Sequence, residues 1–456
     1  MIVMKFGGTS LESAAAIERV ASIVGERVAR RPVVVVSAMG QTTNKLLAIA
    51  QAAVSGEREK ALELTAGLED YHAREAGQVV RERDLPELQR ILRSHFQELR
   101  ELARGLAVLG ELTPRSVDAV SSYGERLSSA ILALAFRRFG IETAHVDSRQ
   151  VIVTDARHTQ AAPLLPQTYQ RLEETVAPLA RSAVVVMGGF IGATQTGVTT
   201  TLGRGGSDFS AAIVGAGIGA EEIQIWTDVD GMLTCDPRIA AGGRRVKLIS
   251  FAEAAELAYF GAKVLHPATV LPAVEKNIPV LILNSRRPEA GGTRIITEAV
   301  PCSNAVKSIA CKRNITLVNV VSTRMLMAYG FLKRIFDIFD RFETPVDMVA
   351  TSEVSVSLTI DNTTQLDRIV ADLRQFSEVG VEQDQAIVCL VGDNIRYTPG
   401  VSARVFRALG DVNVRMVSQG ASLLNLSLVV SGADLKRAVE LLHAEFFAEL
   451  DPAVFD

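Results

Sequence analysis

The sequence is poor in the residues that staple a fold or hold a metal. Its 456 residues include only four cysteines, Cys235, Cys302, Cys311 and Cys389, scattered and without a CxxC pair. That spacing excludes a disulfide framework or thiolate metal site and points to reduced thiols. The six histidines are equally dispersed, so no metal held by protein side chains is expected. No apolar run approaches the roughly 18 residues of a membrane helix, and a strand-like run begins at once, leaving no room for a signal peptide. Positive charge is not in excess: the formal net charge is −4, which leaves no basic footprint for nucleic acid. The GxxxxGK[ST] phosphate loop is missing, as are the HRD and DFG sets of protein kinases. GAGIG (215–219) follows a helical stretch rather than a strand, so it reads as a helix end and not as a dinucleotide fingerprint. A soluble, cytoplasmic protein is the expectation.

What is present is apolar and strand-rich. With 48% hydrophobic and 22% charged residues, the chain can bury sizeable cores, and its length suggests about three domains. IVMKF (2–6) predicts a buried strand that runs into GGTS (7–10) and a helix to residue 24, with Ser10 as N-cap. VVVVSA (33–38) is a β-branched run suited to a strand buried on both faces, and it too ends in a small-residue loop before a helix. Such strand–loop–helix units argue for a parallel α/β sheet. Residues 56–110 repeat Glu, Arg and Leu at helical spacing, an excursion with a solvated charged face. A helix is expected over 122–139, short strands within 141–154, and strands at 182–193, 222–231 and 279–285, with a further helix over 250–259. From about residue 301 an internal repeat begins: strand, loop with Gly330, helix, strand, strand over 315–360, then the same order over 386–430 with Gly400 in the matching place. Each copy is followed by another helix.

Three glycine loops follow buried strands: GGTS (7–10), GGF (188–190) and TTTLGRGGSDFS (199–210). In a parallel sheet they gather at the carboxyl edge, where ligands bind. Any single Gly-Gly is also a tight turn; three together, with Lys5 beside one and Arg204 and Asp208 in another, favour a phosphate site. Phosphoryl transfer asks for positive charge and oriented N–H donors rather than covalent chemistry. Lys5 can meet the transferring phosphate, and Asp208 can hold Lys5 in place, although read alone they are a strand-end lysine and a helix N-cap. Glu125 and Arg204 are the complementary charges that an amino-acid zwitterion requires; read singly, each is a surface charge. Asp228 and Asp236 also fit turns.

MKFGGTS (4–10), YGERLSS (123–129), TTLGRGGSD (200–208), IWTDVDG (225–231), TCDPR (234–238) and FGAKVLHPAT (260–269) resemble the aspartate kinases of the amino-acid kinase superfamily, and the repeat resembles their tandem ACT domains. The likeness runs from residue 3 to about 447. It implies an α/β amino-acid-kinase αβα sandwich with a mainly parallel central sheet over 1–300. Two α+β, βαββαβ-like ACT domains would follow over 301–456, the first about 315–385 and the second about 302–314 plus 386–448. Lys5 and the Gly7–Gly8 backbone would stabilise the transferring γ-phosphoryl group, and Asp208 would orient Lys5. Glu125 would take the α-ammonium of aspartate and Arg204 a carboxylate, assisted by Thr43 and Ser207. Ser37, Thr227, Asp228, Leu233, Arg238, Lys263 and Val264 would join Lys5 around ATP, with Mg2+ held mainly through phosphate oxygens.

The implied reaction is attack by the aspartate β-carboxylate on ATP, giving 4-phospho-L-aspartate and ADP, the first step towards lysine, threonine and methionine. In the tail, MLMAYGFL (325–332) and VDMVATSEVSVSL (346–358) resemble the effector site of the lysine-sensitive type. There Met325, Ala328, Phe331, Leu332, Asp347, Thr351, Ser352 and Glu353 would meet an amino acid, lysine or alternatively threonine, at an interface between ACT units. Ala328 stands where serine is expected, and Met325, Phe331 and Leu332 also suit a plain ACT core. ACT pairing implies a homodimer or higher oligomer. The alternatives are another amino-acid kinase, acting on glutamate, acetylglutamate or a nucleotide, and a non-catalytic amino-acid sensor.

Overall fold

The computed structural model describes residues 1–261, 266–322 and 329–456. The chain divides into two compact units, one of residues 1–231 and 264–297, the other of residues 232–263 and 298–456.

The first unit is built on a twisted sheet in the strand order Thr293–Ile296, Val280–Asn284, Glu222–Thr227, Ile2–Phe6, Pro32–Val36, Val184–Gly188, Thr143–Val146. Every neighbouring pair is parallel except the first, which is antiparallel. Val33 to Val36 are each 0% exposed, because helices cover both faces of a parallel sheet. The charged excursion forms two helices, Arg58–Val79 and Leu85–Leu109. Each buries one stripe at three- and four-residue spacing, Ala61, Thr65, Leu68, His72, Ala76 and Val79 on the first. His72 is a core residue: its Nδ1 lies 2.8 Å from the Leu68 carbonyl, and burial pushes its pKa down to about 4. The helix after the GGTS loop is capped by Ser13, whose hydroxyl accepts from Ala16 N, and not by Ser10. Residues Gly8–Ser10 first make a 3-10 turn, and the Ser10 hydroxyl is committed 2.8 Å from that of Ser285. GAGIG does end a helix, Gly206–Ile218, with Gly219 in the left-handed region at φ +61°.

The second unit carries a six-stranded antiparallel sheet in the order Val349–Thr351, Ser355–Ile360, Ser308–Val321, Glu378–Val391, Asn425–Ser431, Val414–Gln419. The repeat is visible in its order: each long central strand leads to a helix, Phe331–Arg341 or Val401–Leu409, then two strands and a second helix. Gly330 and Gly400 occupy equivalent N-caps at φ +77° and +82°, a conformation that favours glycine. Within this unit the helix Phe251–Tyr259 starts with a capping box between Ser250 and Glu253. Glu253 also meets Lys307 at 2.8 Å in a pair that is 1% and 0% exposed. Among the described residues no helix is long and apolar enough to cross a membrane.

Candidate active site

Strand ends of the first unit deliver the site. Lys5 sits near the end of Ile2–Phe6, in register between Val35 and Ile225. Its Nζ lies 2.7 Å from Asp208 Oδ1, with the two side chains only 12% and 17% exposed. Asp208 stands in the first turn of Gly206–Ile218, whose N-cap, Gly205, has φ +72°. The helix dipole favours an anion at that end. Glycines bring the other walls in. A Cβ on Gly8 would lie 2.9 Å from the Ala38 carbonyl oxygen, one on Gly124 2.6 Å from Ala38 Cβ, and one on Gly189 2.8 Å from Ser207 Cβ.

The result is one cavity of about 380 Å3 that brings together Lys5, Gly8, Ser37, Thr43, Glu125, Arg204, Ser207 and Asp208. Gly7 is not on its wall; its N–H donates to the Trp226 carbonyl at 3.3 Å. Glu125, in the first turn of the helix Tyr123–Arg138, is 3% exposed, which removes the surface-charge reading. Its Oε1 accepts from Ala38 N at 3.1 Å while Oε2 is buried with no hydrogen-bond partner among the described residues. Burial pushes the carboxyl pKa up to about 8, a cost that an arriving cation relieves. Arg204 is exposed at the same cavity. A cation, a tethered lysine and a buried, half-satisfied carboxylate around one cavity suit an anion and an ammonium bound side by side.

Comparison with known proteins identifies the family. The Amino acid kinase family matches residues 1–284, and the ACT domain family matches residues 388–446. Aspartokinase 2, chloroplastic, of Arabidopsis thaliana is 38% identical, over 99% of this chain and 85% of its own. The chain belongs to the aspartokinase family. The crystal structure of E. coli aspartokinase III in complex with aspartate and ADP (R-state) superposes with a TM-score of 0.80 at 36% identity, covering 98% of this chain and 100% of that one. The same enzyme in complex with lysine and aspartate (T-state) gives a TM-score of 0.83 at 36% identity, covering 98% and 99%.

The nucleotide residues that the aspartokinase motifs imply are placed less fully. Thr227 ends Glu222–Thr227, and its carbonyl accepts from Ser285 N and Oγ at 2.8 and 3.0 Å, while its hydroxyl donates to Asp228 at 3.3 Å. In the second unit Leu233 ends a two-residue strand, and Arg238 grips Asp236 through Nε and Nη2 at 3.0 and 2.7 Å. That grip holds the Asp236 carboxyl below its ordinary range. Lys263 and Val264 lie outside the described residues.

Of the residues that the motifs imply for an effector, Met325 and Ala328 also lie outside the described residues. Phe331 is core, buried and edge-to-face on Phe376 at 5.6 Å, whereas Leu332 beside it is 41% exposed. Thr351, Ser352 and Glu353 are exposed where Val349–Thr351 turns into Ser355–Ile360. Asp347 already holds an ammonium: Lys312 Nζ lies 2.7 Å from its Oδ1 and 2.7 Å from Asp361 Oδ2. Asp347 Oδ2 is buried with no hydrogen-bond partner among the described residues, and burial raises the carboxyl pKa. Sequence reasoning missed Lys312 here.

Proposed function

We propose that this chain transfers the γ-phosphoryl group of ATP to the β-carboxylate of L-aspartate, giving 4-phospho-L-aspartate and ADP. The observation that carries the reading is the Lys5–Asp208 pair opening on the same cavity as Glu125 and Arg204. One bond forms, from a carboxylate oxygen to the γ-phosphorus, and one breaks, from that phosphorus to the oxygen bridging to the β-phosphate. The nucleophile is already an anion, so no proton is abstracted and no general base is required. Lys5, fixed by Asp208, supplies positive charge where the transferring group gains negative charge. Glu125 takes the α-ammonium and Arg204 a carboxylate, with Thr43 and Ser207 beside them, which aims the β-carboxylate. Ser37 lies near the phosphates; Thr227, Asp228, Leu233, Arg238, Lys263 and Val264 serve the rest of the nucleotide. Magnesium would come with ATP and be held mainly through its phosphate oxygens, neutralising charge on the transferring group.

The ACT-bearing second unit serves as the regulatory part. Lysine is its effector, binding at a pairing of two copies of the chain, so the protein is at least a dimer in solution. The kinase reading is supported by the aspartate and ADP bound by E. coli aspartokinase III, and the effector reading by the lysine bound by the same enzyme. The purified protein, incubated with ATP, magnesium and aspartate and trapped with hydroxylamine, forms aspartyl hydroxamate. Folded protein that forms none, or that prefers glutamate, overturns the proposal.

A further inference from the structure

One fully buried carboxylate in the first unit has no place in the chemistry above. Asp118 is 0% exposed, on the helix Pro114–Ser121. Its oxygens collect donors from two distant segments. Thr201 Oγ1 donates to Oδ1 at 2.5 Å, Thr159 N approaches Oδ1 and Oδ2 at 3.0 and 3.1 Å, and His158 Nδ1 lies 2.6 Å from Oδ2. A buried carboxylate is tolerated only when its lone pairs are met, and removing one partner leaves the rest unsatisfied. The three segments are therefore fixed to one another through a single side chain.

What they hold is the stretch that carries Arg204. Thr201 ends the strand Thr199–Thr201, three residues before Arg204, and its carbonyl accepts from Ala161 N at 2.9 Å. Thr159 has φ +71°, the left-handed region that a β-branched residue avoids unless its surroundings impose it. That backbone aims the Thr159 carbonyl at Gly203, where a Cβ would lie only 3.1 Å from the oxygen. On its other side, Asp118 accepts through its own carbonyl from Ser122 N at 3.0 Å, at the start of the helix that presents Glu125. Asp118 thus ties the segment before Glu125, through its main chain, to the segment before Arg204, through its carboxylate.

We infer that Asp118 is a positioning residue for the amino-acid substrate: through Thr201, Thr159 and His158 it fixes the spacing between the ammonium grip at Glu125 and the carboxylate grip at Arg204. The inference rests on the proposal that these two residues hold aspartate. Small misplacements of a gripping group cost binding and rate steeply. Asp118→Asn therefore raises KM for aspartate about tenfold or more while KM for ATP stays within about twofold. Because Asp118→Asn can fail to fold, Thr201→Val is measured beside it. It removes one hydroxyl donor, raises KM for aspartate in the same selective way, and Thr201→Ser recovers most of the lost affinity. A folded Thr201→Val protein with unchanged KM for aspartate, or with both KM values raised alike, overturns the inference and leaves the kinase proposal standing. A wild-type protein without aspartate kinase activity overturns both.

Discussion

Moving the assay from about pH 8.5 to about pH 6.5 lowers kcat/KM for aspartate, through a proton on Glu125. The Glu125 carboxyl is raised from 4.5 to about 8 because it is buried away from water. Aspartate brings an ammonium that pairs with the carboxylate and not with the neutral acid, so the free enzyme must release this proton before productive binding. About 1.5 pH units below that pKa only ~3% of the free enzyme is ionised, and kcat/KM for aspartate stands about 30-fold below its alkaline plateau. With aspartate bound, the ammonium pulls the Glu125 pKa down, so kcat at saturating aspartate is much flatter. The unliganded fold responds with the opposite sign. A pKa raised on folding stabilises the fold fully below about 4.5, and that contribution is lost as pH rises through about 8. The assay is steady-state ADP release at saturating ATP, run beside Glu125→Gln, which binds aspartate poorly at every pH and shows no such slope. A flat wild-type profile, or a slope that persists in Glu125→Gln, refutes the reasoning.

Lys5→Ala lowers kcat by about 10²–10³-fold with KM for aspartate little changed, and Asp208→Asn lowers it less, because Lys5 remains but loses its tether. A raised KM for aspartate with kcat unchanged, by initial-rate kinetics, would assign Lys5 to ground-state binding instead. In the second unit, Lys307→Met alone leaves Glu253 charged and buried and costs about 3–5 kcal/mol in urea unfolding, and Lys307→Met with Glu253→Gln together cost less than the sum. Additive losses would mean that the pair is not coupled. Millimolar lysine slows turnover and raises the melting temperature, and Lys312→Met, which frees Asp347, lowers the lysine concentration for half-inhibition. A wild-type protein indifferent to lysine turns attention to threonine, and an unchanged half-inhibition value in Lys312→Met contradicts a role for that cation. Light scattering reads at least a dimer; a monomer contradicts the assembly.

Much of this fold was legible because its signals are local. Val33 to Val36 announce a strand buried on both faces, and Gly330 and Gly400 mark the repeat because both helices need a left-handed N-cap there. The helix start near Ser10 was misread by one short element: the 3-10 turn Gly8–Ser10 intervenes and passes the cap to Ser13. The candidate site was legible through motifs that place glycines and a lysine at strand ends and an aspartate in the first turn of a helix. Glu125, read alone, passed equally for a surface charge, and only its burial decides the matter. Asp118 and Lys312 were not legible at all. Their meaning lies in partners far off in the chain, His158, Thr159 and Thr201 for one and Asp347 and Asp361 for the other, which no spacing in the sequence announces.

In the proposed reaction the aspartate β-carboxylate itself attacks the γ-phosphorus of ATP. Aspartate labelled with ¹⁸O in its β-carboxylate tests this by ³¹P NMR of the reaction mixture. An acyl-phosphate resonance carrying the ¹⁸O isotope shift, appearing together with ADP and absent for Lys5→Ala, is the predicted result. An unshifted resonance, or inorganic phosphate released independently of aspartate, would contradict it.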